Sequence, residues 1–109
     1  MVGSQVVAYF FGGALLANAV PHFVGGVMGE PFQTPFANPP GKGLSSSTVN
    51  VLWGCVNFVA SYFLVCRVGD FSLKTSADVV PFGLGVLAMG LFAARHFGAL
   101  HGGNTPKGT

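Results

Sequence analysis

Three long apolar stretches separated by two polar breaks organise this chain. From Val6 to Met28 no Asp, Glu, Lys or Arg interrupts the run. As a helix it rises about 34 Å, enough to cross the roughly 30 Å hydrocarbon core of a bilayer. Thr48 to Cys66 forms the second run, and Val79 to Ala94 forms the third, which stops at Arg95. The third rises only about 24 Å and completes a span if Asp78 and Arg95 direct their charged ends toward the interfaces, or if the helix continues through His96, Phe97 and Leu100. The pattern predicts an all-α integral membrane protein with three transmembrane helices, over about 6–28, 48–66 and 79–97. They form a single transmembrane domain over 1–109, and residues 102–109 read as a flexible tail.

The breaks differ in kind. Glu30 to Ser47 reads EPFQTPFANPPGKGLSSS, with Pro31, Pro35, Pro39 and Pro40 each fixing φ and disfavouring helix in the residue before. This Pro-rich loop is expected to be stiff and extended, with Phe32 and Phe36 at headgroup level and Ser46 or Ser47 capping the second helix. The second break carries Arg67, Asp70, Lys74 and Asp78 and reads as a solvated turn. Pro21 lies inside the first run, where neighbouring helices can satisfy the carbonyl it frees.

At 100° per residue, Ala14, Asn18, His22 and Gly25 share one face of the first helix, and Asn50, Gly54, Asn57 and Ser61 share one face of the second. These positions are small or hydrogen-bonding, while the rest of each helix is mainly Val, Leu, Ala and Phe. The two faces are therefore expected to meet each other rather than lipid. The intramembrane polar cluster is then Asn18, His22, Asn50, Asn57 and Ser61. Gly83, Gly90 and Ala94 are the expected close-approach face of the third helix. Trp53, Tyr62, Arg95 and His96 fall near helix ends and read as membrane-interface residues. His22, Arg95, His96 and His101 all approach the membrane face that carries the Pro-rich loop.

Composition supports the bilayer as solvent. Half of the 109 residues are hydrophobic and 7% are charged, against about a quarter charged in soluble domains. The first run has no basic residue before it and exceeds the roughly 7–15 residues of a signal-peptide core, so it is expected to be a retained helix. Arg67 and Lys74 on one side against Lys42, Arg95 and Lys107 on the other give no usable orientation bias, and dual topology fits the tally. A formal charge of +2, spread singly, gives no nucleic-acid footprint. Cys55 and Cys66 are about 16 Å apart along one helix, beyond disulfide reach, and read as packing thiols.

Catalytic and cofactor chemistry find little footing. No carboxylate lies within a span, and Ser45 to Ser47 have no positioned base. The run from Gly12 to Asn18 lacks the lysine of a phosphate loop. His22 with His96 could face each other at matching depth, but two imidazoles do not complete a metal set. The expectation is no enzyme activity, no metal and no cofactor. It is instead a structural or accessory membrane subunit, working with the lipid bilayer and as a homo-oligomer or beside another membrane protein. The alternative is an oligomeric channel or small-solute transporter using the Asn18, His22, Asn50 and Asn57 faces.

Residues 18–58 carry PHF, PFQTPF, PPG and VNVLWG in order, and in this they resemble a group of small bacterial multi-pass membrane proteins. The resemblance implies a bacterial inner-membrane (plasma-membrane) location and no particular activity. Val49, Asn50 and Gly54 are also similar to a motif of the small dual-topology fluoride channels. Those have four helices, an Arg in the first and a Thr-Phe-Ser-Thr-like segment in the third. None of these is present here, so no residue roles carry over.

Overall fold

The computed structural model describes residues 2–107. In chain order it contains α1 (Val2–Val27), a two-residue strand β1 (Phe32–Gln33), its partner β2 (Leu44–Ser45), α2 (Ser47–Tyr62), a π-helical continuation (Phe63–Val68) and α3 (Ser76–His101). The three helical rods, the second counted through Val68, are each long and apolar enough to cross a membrane. The third differs from its expected length: α3 continues past Arg95 to His101, with 26 residues. That is about 39 Å of helix, longer than the roughly 30 Å hydrocarbon core it would cross.

Helix α1 is the central rod. It packs extensively against both α2 and α3, while α2 and α3 make almost no contact with each other. Glycines set the spacing. A methyl group on Gly26 would lie 2.7 Å from the Ser47 carbonyl oxygen, and one on Gly54 2.9 Å from the Phe23 backbone. On the other side, a methyl at Gly13 would strike the Phe82 carbonyl, and one at Gly85 the Phe10 carbonyl. The α1–α3 seam is therefore a reciprocal glycine crossing, with backbone on backbone. Gly83 and Gly90, expected at this seam, have nothing within 4 Å of such a methyl, and Ala94 is exposed. The glycine pattern on α3 is ambiguous by itself, and Gly13 and Gly85 resolve it by matching each other across the crossing.

The helix ends are capped locally. Gly29, at φ 78°, closes α1: its N–H bonds the Gly26 carbonyl, and Glu30 N–H bonds that of Gly25, the paired bonds of a Schellman cap. Ser46 accepts from Val49 N–H at 3.2 Å and starts α2. At the far end the widened π turn places Val65 against Gly12 and Gly69 against the Tyr9 ring. Asp70 N–H then donates to the buried Tyr9 hydroxyl at 2.9 Å. After α3, Asn104 turns back, donating from its side chain to the Arg95 carbonyl and from its backbone to that of Gly98. The last two residues of the expected tail, 108 and 109, lie outside the described residues.

The Pro-rich loop is not extended. It folds into a short hairpin, with Phe32 paired to Ser45 and Gln33 to Leu44 in antiparallel register. Turns bonded to the Thr34 and Pro39 carbonyls fill the space between the strands. Each proline stiffens its own position, but the path is set by hydrogen bonds to Gln33, Thr34 and the helix ends. Cys55 and Cys66 are free thiols on the outer surface of the second rod. The helical phase that turns Asn50, Gly54, Asn57 and Ser61 inward turns both cysteines out, so they do not pack the core.

Candidate functional site

The polar stripes of α1 and α2 meet. Asn18 Nδ2 donates to Asn57 Oδ1 at 3.1 Å, and Asn57 Nδ2 donates to the Trp53 carbonyl one turn earlier at 2.8 Å. Ser61 Oγ donates to the Gly12 carbonyl at 2.7 Å. Gly12 lacks a side chain there, which leaves its carbonyl open to a second donor.

Asn50 is the centre of the site and fully buried. Its Nδ2 donates to the carbonyls of Phe32, Ser45 and Ser46 at 3.0–3.1 Å. With the amide nitrogen committed to three carbonyls, Oδ1 faces His22, and His22 Nδ1–H donates to it at 2.8 Å. One side chain of α2 thus ties α1, both strands and its own N-terminal turn together. His22 is 2% exposed.

All three histidines converge on this end. His96 Nε2–H donates to the Gly41 carbonyl at 2.6 Å, and His101 Nε2–H to Gln33 Oε1 at 2.9 Å. The Phe32 ring lies 5.3 Å from His22, 4.6 Å from Phe97 and 5.4 Å from His101, measured between ring centres. Phe32 is therefore half-buried within the cluster, a contact its loop position does not reveal because it says nothing about which way the hairpin folds. The histidine rings are spread around Phe32 and Phe97. Among the described residues, no three His, Cys, Asp or Glu side chains are grouped as metal ligands.

Two of the residues expected at the membrane interface, Trp53 and His96, are also part of this site. Trp53 turns inward, its ring 6.5 Å from His22 and 4.8 Å from Phe36. Its buried Nε1–H has no hydrogen-bond partner among the described residues. His96 is drawn to the hairpin crest by the Gly41 bond rather than presented outward. Tyr62 and Arg95 are exposed near helix ends. Beneath the hairpin lies a cleft of about 280 Å³, lined among others by Asn18, His22, Thr34, Trp53, His96 and Phe97.

Gln33 and Thr34, both buried, escape a reading of the sequence. Polar residues in a loop ordinarily face water, yet here Thr34 Oγ1 bonds Ser45 Oγ at 2.5 Å inside the hairpin. Tyr9, buried with its hydroxyl accepting from Asp70 N–H, likewise escapes that reading. A tyrosine in an uncharged run needs a partner for its hydroxyl, and that was the available signal.

The fold and site thus define a three-rod helical protein with membrane-spanning dimensions and a histidine–aromatic cluster at one end. No family profile, curated protein or solved structure matches the chain.

Proposed function

We propose that this is a non-enzymatic, multi-pass protein of the bacterial inner membrane, serving as a structural or accessory subunit beside another membrane protein or further copies of itself. The bilayer is supported by what the rods present outward. Leu52, Val56, Val59 and Phe63 on the second rod and Leu84, Leu87, Leu91 and Phe92 on α3 are all exposed. Apolar surface this continuous is not sustained in water.

The accessory role is carried by one observation: the polar groups of α1 and α2 bond one another. Asn18 is used by Asn57, His22 by Asn50 and Ser61 by Gly12. A conducting path needs such groups to face a continuous passage, and three helices hardly enclose one. These bonds instead hold the rods in register and fix the hairpin at one end of the bundle. Two measurements test this reading. Purified protein in liposomes should pass ions and small solutes no faster than empty vesicles, and gentle native purification should yield a stoichiometric membrane partner or a homo-oligomer. Flux that disappears in His22→Ala would establish the channel alternative instead.

A further inference from the structure

Helices α1 and α3 meet closely where Gly13 and Gly85 cross, and nearer the hairpin they leave an open groove of about 630 Å³ between them. Small residues keep it open: Ala17 and Gly25 on α1, Gly90 and Ala93 on α3. From Ala17 to Gly25 it follows α1 for eight residues, about 12 Å. Ala17 is the midpoint of the uncharged run from Val6 to Met28. The groove therefore begins at mid-membrane and ends at the headgroups, within the roughly 15 Å depth of one leaflet's hydrocarbon.

Polarity changes along that length. Val20 and Val24 wall the deep part, while Glu30 and His101 stand at the mouth. No Lys or Arg lines the groove. Glu30 is exposed, its N–H bonds the Gly25 carbonyl, and its side chain has no partner among the described residues. His101 is engaged elsewhere, by Gln33 at 2.9 Å. The C-terminal end of α1 lies beside Glu30 and carries the negative end of the helix dipole. Carboxylate and dipole both favour a cation at the mouth. A matching occupant is apolar for the depth of one leaflet and cationic at its head. We infer that the α1–α3 groove holds an acyl chain of one phospholipid from the leaflet on the hairpin side, its primary ammonium head on the Glu30 carboxylate. A primary ammonium donates charge-assisted hydrogen bonds to a carboxylate, whereas a choline head has no N–H to donate and a net anionic head is repelled. The inference rests on the bilayer reading of the rods, which charged-maleimide labelling of Cys55 in membranes tests separately.

Native mass spectrometry of the full chain in detergent, offered equimolar dioleoyl phosphatidylethanolamine, phosphatidylcholine and phosphatidylglycerol, tests this directly. One ethanolamine lipid should be retained about three- to tenfold over the choline lipid, with the glycerol lipid weakest. Glu30→Gln should lower the ethanolamine lipid to the level of the choline lipid. Gly90→Leu fills the groove without a clash, since nothing lies within 4 Å of a methyl there, and should abolish retention. Gly83 is equally open but lies outside the groove, so Gly83→Leu should retain the lipid as the unaltered chain does. Equal retention of the three lipids overturns the proposal. So does an ethanolamine preference that survives Glu30→Gln, or retention that survives Gly90→Leu. A dimer that Gly90→Leu disperses assigns the groove to a second copy of the chain and overturns it as well.

Discussion

Replacing Asn50 with Ala is the sharpest test of how the bundle and hairpin are joined. Asn50 has three partners outside its own helical turn, namely His22 Nδ1 and the carbonyls of Phe32 and Ser45. Interhelical bonds in membranes average about 0.6 kcal/mol, and net intramolecular bonds run to about 1.5 kcal/mol. Three such bonds give a loss of about 2–4 kcal/mol, and remove a partner from two part-buried carbonyls and from a histidine N–H. Asn57 is the matched control. It is equally buried, but has one interhelical partner, Asn18, besides a bond within its own turn. Asn57→Ala should cost about 0.6 kcal/mol. Reversible unfolding in mixed micelles with a rising fraction of denaturing detergent gives both values. Hydrogen exchange across residues 32–45 should accelerate in Asn50→Ala and not in Asn57→Ala. If the two variants are equally destabilised, Asn50 is not the clasp of this structure.

Other expectations follow from particular contacts. Gly13→Ala and Gly85→Ala each drive a methyl into a facing carbonyl and should destabilise by about 1–3 kcal/mol. Gly83→Ala and Gly90→Ala meet open space and should be neutral, or stabilising by up to about 1 kcal/mol, in the same unfolding assay. Cys55 begins the third turn of α2, about 12 Å beyond Ser47, and is outward-facing. In membranes it should resist a charged maleimide that labels Cys66 beside Arg67, and equal labelling would argue against a bilayer around α2. His96→Phe keeps a ring beside Phe92 but loses the donor to the Gly41 carbonyl. Amide exchange at Gly41 and Gly43 should rise about fivefold, the equivalent of about 1 kcal/mol, with little change in global unfolding.

What the sequence made legible depended on polarity. In α1 and α2 each inward face carries Asn, His or Ser against an apolar background, so helical spacing alone brings Asn18 toward Asn57 and His22 toward Asn50. Helix α3 has no such marker between Pro81 and Ala94. Its inward face is defined by Gly85 fitting against α1, a match between two helices that no single-helix pattern contains. Trp53 shows a second limit. An aromatic near a helix end reads as an interface anchor, and only the hairpin carrying Phe36 over α2 reveals the inward turn. The hairpin was hidden for a related reason, since it is held by the amide of Asn50, a residue outside the loop it organises.

The placement of α1 between two helices that scarcely touch bears on how the protein is assembled during synthesis. Chains emerge and fold N-terminal part first, and here the earliest rod is the one both others require. Each later helix finds its docking face already present, and neither must wait for, or be guided by, the other. A break in the link between Val68 and Ser76 would cut no rod and sever no seam. The protein is in this sense two helix pairs sharing one member, and a chain supplied as two pieces divided at that link has every contact it needs to reunite.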